Sequence, residues 1–148
     1  PDAVRALAEG RSIPVRNPAS TRPWQHVLEA LSGYLTLGAA LLDGNAKASG
    51  SWNFGPPENN VRRVDDLVPA LIKAWGDGSW THTPEAGAVH EAKLLTLCCE
   101  KAARELAWLP RWDFEETTRR VALWYKKYYG GTDAQELCLR DIRDYMNG

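Results

Sequence analysis

Apolar side chains recur at three- and four-residue spacings at Val61, Val64, Leu67, Val68, Leu71, Ile72 and Trp75, which predicts an amphipathic helix over residues 61–75. Pro69 falls inside that stripe and, lacking a backbone donor, predicts a local distortion. The stripe reads as core rather than as a ligand site. Residues 28–42, LEALSGYLTLGAALL, show another pattern. They are apolar or small on nearly every face, as in a helix that neighbours cover on several sides.

Shorter elements are predicted around these two. Asp2 caps a helix that runs to Glu9 and stops at Gly10, and residues 12–15 and 24–27 read as extended. A polar loop at 45–50 leads to a short strand at 51–54, which turns through GPPENN. After Trp75 comes a loop with room for a short strand, then a strand at 93–98 and a helix at 100–107 stopped by Pro110. A helix at 114–128 is expected to bury Phe114, Val121, Trp124, Tyr125 and Tyr128. Thr132 and Gln135 suggest a capping box for a last helix with Cys138, Leu139, Ile142, Tyr145 and Met146 facing inward.

Composition narrows the class. The chain has 148 residues, 44% of them hydrophobic, and seven tryptophans, which fits one globular unit and not a disordered tail. A net charge of −1 gives no reason to expect a nucleic-acid partner or an anionic membrane surface. The longest uncharged run, 30–42, is 13 residues long. A membrane helix needs about 20 apolar residues. No leader segment is visible at the start. Three cysteines, Cys98, Cys99 and Cys138, make an odd count without framework spacing and suggest a reducing, cytoplasmic setting. His26, His82 and His90 share no ligand spacing with one another or with a cysteine pair, so no metal site is expected.

Candidate chemistry gathers in residues 15–27, VRNPASTRPWQHV, read as a strand, a stiff turn and a second strand. Pro18 and Pro23 fix two φ angles and push Asn17 and Arg22 toward extended backbone, so Arg16 and Arg22 sit on a pre-ordered scaffold. Guanidinium groups so held suit a diphosphate, since their fixed fork matches phosphate oxygens. The competing reading is an ordinary proline-stiffened connection with solvated arginines. Trp24 stacks on a ligand ring or, as strand tryptophans do more often, joins the core. His26 reads as a satisfied core histidine. Glu115 and Glu116, with Arg119 and Arg120 after them, fit ion pairs on a solvated helix face and not acid–base catalysis.

Several segments, in order, resemble the CDP-glucose 4,6-dehydratases of the extended short-chain dehydrogenase/reductase superfamily. They are RNPASTRPWQHVLEALSGYL, SWNFGPPENNVRRVDDLV, WGDGSW, HEAKLLTLCCEKAARELAWLPRWDF and VALWYKKYYGGTD. The resemblance covers nearly the whole chain. It departs at Ala30, where proline is expected, at Cys98 and Glu100, where aspartate and serine are expected, and at Ala107, where glycine is expected. Members of the superfamily also carry a glycine-rich dinucleotide turn and a Tyr-x-x-x-Lys pair, and neither motif occurs here. The resemblance therefore implies an α/β fold, mostly helices with a few short strands, that is the carboxyl-terminal substrate-binding part of such an enzyme.

By the same resemblance the partner is CDP-glucose or another nucleotide-sugar, and NAD belongs to the full-length enzyme and not to this piece. No catalytic residue is expected here. Arg22 is implied to meet the diphosphate, Arg16 and Asn17 the base, and Glu91 the ribose hydroxyls, with His90 adding positive charge near the diphosphate when protonated. A related nucleotide-sugar epimerase or reductase, or a non-enzymatic binding module, are the rival readings. In the resembling enzymes the helix at 28–42 and the strand at 51–54 lie against the dinucleotide-binding half. The isolated chain is accordingly expected to form a homo-oligomer that covers residues 28–54.

Overall fold

The computed structural model describes residues 1–56, 60–84 and 96–148. Six helices and four three-residue strands follow one another along the described chain. Helix α1 (Asp2–Ala8) leads into β1 (Ile13–Val15), and β2 (Thr21–Pro23) leads into α2 (Val27–Leu42). Strand β3 (Val61–Arg63) runs directly into α3 (Val64–Trp75), and β4 (Trp80–His82) follows. The rest is helical, with α4 (Glu100–Leu106), α5 (Phe114–Tyr129) and α6 (Ala134–Asn147).

The strands form two separate pairs. Strand β1 runs parallel to β4, with Pro14 opposite Thr81, while β2 is antiparallel to β3, with Arg22 opposite Arg62. The expected strand–turn–strand is thus not a hairpin, and its second extended piece is 21–23, not 24–27. The turn between the strands turns its carbonyls on α3 instead: the amides of Val64 and Asp65 donate to Ser20 and Pro18 oxygens at 2.9 and 3.0 Å. Those amides open α3 and have no partner within the helix.

One core lies between α1, β1, α3 and α5. Val4, Leu7, Ile13, Val15, Val68, Leu71, Trp75 and Ala122 are buried in it, so the α3 stripe is core as the periodicity predicts. The stripe begins at Val64 and not at Val61, because residues 61–63 are drawn into the ladder with β2. Helix α3 continues through Pro69, whose side chain is on the exposed face. A second cluster holds Phe54, Ala102 and Trp108. Residues 51–54 form no strand; Trp52 donates its indole N–H to the Ala48 oxygen at 2.8 Å, and Phe54 lies against α2 where a Cβ on Gly33 would overlap its ring. Residues 96–98 are likewise not in a strand, and 93–95 lie outside the described residues.

On the last two helices Phe114 and Tyr145 are buried as expected, but the rest of the inward faces differ. Helix α5 buries Phe114, Thr117, Thr118 and Ala122, leaving Tyr128 46% exposed. Helix α6 buries Leu137, Asp141 and Tyr145, while Cys138, Leu139, Ile142 and Met146 are exposed. Its cap is Asp133, which accepts from the Glu136 amide at 3.0 Å, in place of Thr132 with Gln135.

The cause of the α6 rotation is a carboxylate on α2. Glu29 is fully buried, and its two oxygens accept from the Trp112 amide at 2.8 Å, the Arg111 amide at 3.1 Å and the Tyr145 hydroxyl at 2.6 Å. Tyr145 also shares a 3.0 Å hydrogen bond with Ser32, which accepts from the Trp108 indole at 2.9 Å. Burial, and then the bond to Glu29, push the Tyr145 phenol up to about 12. Three segments distant in sequence thus meet at one anion.

Replacing Glu29 by Ala takes the shared acceptor from the Trp112 and Arg111 amides and the Tyr145 hydroxyl, and the expected loss is about 2–4 kcal/mol of folding stability. Glu29→Gln keeps an acceptor oxygen for the two amides and should lose less. Urea unfolding of both variants measures the difference.

Candidate phosphate-binding turn

Asn17 opens the turn between β1 and β2. Its carbonyl accepts from the Ser20 amide at 3.3 Å, and Pro18 occupies the next position, where its fixed φ suits a β-turn. Arg16 and Asn17 are exposed, and Arg22 is half-buried with Nη1 donating to the Thr21 carbonyl at 2.9 Å. Both arginines also take part in interactions with residues beyond those already named. The pre-ordered scaffold expected from the prolines is therefore present, held from outside by α3 and from both sides by strand pairing. His90 and Glu91 lie outside the described residues.

Trp24 is half-buried and donates its indole N–H to the Arg62 carbonyl at 3.0 Å, which ties β2 to β3. That is a structural use of the ring. Gln25, next in the chain, donates from Nε2 to the Phe54 carbonyl at 3.0 Å. Its Oε1 is buried with no hydrogen-bond partner.

His26 is buried, as expected of a core histidine. Its Nδ1 accepts from the Leu28 amide at 3.3 Å, capping α2, and its ring stands edge-on to Trp112 at 4.8 Å. Burial lowers its pKa below the usual value, against the upward pull of Asp141 and Glu29; Arg120 adds to the lowering.

Other charged groups are occupied by one another. Glu116 receives both Arg119 and Arg120, and the Arg119 hydrogen bond above all holds its carboxyl down at about 2. Glu115 and Glu116 are thus helix-face residues, as their spacing predicts. A cleft of about 180 Å³ between α5 and α6 is lined by Arg120, Arg140, Asp141 and Asp144 among others. Arg120 is tied there to Asp144 at 2.7 Å, and Arg140 to Asp141 at 3.0 Å. Among the described residues no cluster of histidine, cysteine or carboxylate groups is arranged to hold a metal. No helix among them is long and apolar enough to cross a membrane.

Comparison with known proteins places this geometry. No family model matches the chain. A CDP-glucose 4,6-dehydratase of Salmonella typhimurium is 41% identical over 148 residues, which is 99% of this chain and 41% of that protein. A dTDP-glucose 4,6-dehydratase of Streptomyces antibioticus is 29% identical over 124 residues, 83% of this chain and 35% of that protein. Among solved structures, a dTDP-glucose 4,6-dehydratase from Bacillus anthracis in complex with NAD matches with a TM-score of 0.68 at 21% identity, over 84% of this chain and 37% of that one. A UDP-N-acetylglucosamine 4-epimerase from Bacillus cereus matches with a TM-score of 0.61 at 16% identity, covering 84% and 41%.

The fold matches one part of the dTDP-glucose 4,6-dehydratase structure. Over that part the chain is homologous to CDP-glucose 4,6-dehydratase. It spans about 41% and 35% of the length of the two curated relatives it matches.

Because folding favours neutral His26, stability is full above the unfolded pKa of about 6.5 and declines as the pH falls below it. The urea midpoint of the protein should therefore drop between about pH 7 and 5.5. His26→Asn, which keeps a capping side chain but does not titrate, should flatten that slope.

Proposed function

We propose that this chain is the carboxyl-terminal, substrate-binding part of an enzyme that converts CDP-glucose to CDP-4-keto-6-deoxyglucose in deoxysugar biosynthesis. The observation that carries this reading is Arg22, whose backbone is held in a paired strand beside a proline-stiffened turn, in a chain homologous to a CDP-glucose dehydratase. Arg22 meets the diphosphate, and Arg16 and Asn17 meet the base. Glu91 and His90 complete the set at the ribose and diphosphate. NAD would belong to the whole enzyme and would supply its oxidation–reduction chemistry there. The residues of this chain do not fit that cofactor: they include no glycine-rich dinucleotide turn, and the Tyr-x-x-x-Lys pair is also missing. Recognition, and not the chemistry, is the role left to them.

A second reading, a related epimerase, is favoured by the likeness to the UDP-N-acetylglucosamine 4-epimerase fold. The residues around the catalytic tyrosine, outside this chain, separate the two. In the full-length enzyme Arg22→Ala should weaken CDP by about 1.5–3 kcal/mol, the worth of one hydrogen bond to a charged group. Calorimetry with CDP is the test, and an unchanged affinity removes Arg22 from the site.

The isolated chain is further proposed to self-associate through α2. Val27, Leu31, Tyr34, Leu35 and Leu42 are exposed there, and the one charge on the helix, Glu29, points inward. A second copy thus meets an apolar face with no like charge to repel it. Sedimentation of the isolated chain should show a dimer or larger species that Leu35→Lys dissociates. A monodisperse monomer at high concentration would overturn this.

A further inference from the structure

The ring of His26 is the N-cap of α2, with Nδ1 accepting from the Leu28 amide. A nitrogen that accepts a hydrogen bond holds a lone pair, so this geometry belongs to the neutral tautomer with its proton on Nε2. A second proton would put an N–H on Nδ1, facing the N–H of Leu28. Donor then meets donor, and the cap is lost.

The surroundings hold a second place for a charged ring. Trp112 stands edge-on to His26, and the same indole carries the Arg120 guanidinium. Arg120 in turn lies 4.0 Å from Asp141 on α6. Asp141 is 4% exposed; its Oδ1 takes Arg140 at 3.0 Å, but its Oδ2 is buried with no hydrogen-bond partner. A buried acceptor left so is costly, and a charged donor brought to it lowers that cost. Burial favours the neutral ring; of the charged groups that act on it, Asp141 and Glu29 draw a proton on and Arg120 repels one. The Glu29 oxygens are already filled by two amides and a phenol. Of these two carboxylates, Asp141 has the unfilled oxygen.

We propose that His26 is an acid-sensitive latch between α2 and α6. Neutral, it holds the Leu28 amide; protonated, it releases the start of α2 and turns its charge toward Asp141. Glu29 lies in that same first turn, so the latch bears on the polar centre that fixes Arg111, Trp112 and Tyr145.

The test is NMR of the full-length enzyme, labelled at histidine and leucine, between about pH 7 and 5. The nitrogen chemical shift of His26 Nδ1 should pass from that of a bare to that of a protonated nitrogen. Over the same range the Leu28 amide should lose about tenfold or more of its exchange protection, corrected for the intrinsic rate, as a local opening does. Leu71, in the core around α3, should keep its own. Asp141→Asn should move the His26 titration to lower pH, which a carboxylate remote from the ring would not do. His26→Asn, whose side chain caps without titrating, should keep Leu28 protection constant.

A ring whose Nδ1 stays bare down to about pH 5 overturns the latch. Loss of protection at Leu28 and Leu71 together is global unfolding and overturns it too, as does a His26 titration that Asp141→Asn leaves in place.

Discussion

A single buried carboxylate sets the arrangement of the carboxyl-terminal third of the chain. Among the described residues no lysine or arginine pairs with Glu29; its oxygens are met by two successive backbone amides and a phenol. Hydrogen bonds to an ionised acceptor are the strong kind, and inside a protein each missing one is costly. The residues between α4 and α5 must therefore turn their amides toward α2, and α6 must present Tyr145 to the same point. Arg111 adds a clasp from outside, donating from Nη1 to the Tyr145 carbonyl at 2.6 Å. Trp112, fixed by its amide, offers its ring to His26 and to the Arg120 guanidinium 4.2 Å away. The cap of α2 and the ion pairs of α5 are thus tied to the same polar centre.

This centre explains which parts of the fold were legible in the amino-acid pattern. Helix α3 was, because its stripe packs by apolar burial alone, the force that three- and four-residue spacing reports. The inward face of α6 was only partly so. The stripe expected inward was Cys138, Leu139, Ile142, Tyr145 and Met146; Tyr145 is buried, but Leu137 and Asp141 take the place of the others, and hydrophobic spacing carries no trace of a hydrogen bond to a distant segment. A signal did exist: Glu29 is the one charge in a sixteen-residue helix, and such a residue is either the solvent face or a buried anchor. Residues 51–54 failed for a related reason. A strand was expected there, while the two aromatic rings instead lie against Ala48 and Gly33.

The candidate site was legible to the extent that proline chemistry is local. Pro18 and Pro23 stiffen the turn, and Arg22 lies on the strand they frame. The pairing of β2 with β3 was hidden, since the apolar spacing assigned residues 61–63 to a helix. Ala107 shows the reverse case, in which a sequence oddity acquires a physical meaning. Glycine is expected there by resemblance, and the backbone at Ala107 has φ of 52°, the left-handed region where a Cβ is strained.

The turn that carries Arg16 and Arg22 is fastened at both ends to different sheets, and its own carbonyls are spent on the start of α3. A ligand that bound there would find the backbone of this turn already fastened, and would spend little association free energy on ordering it.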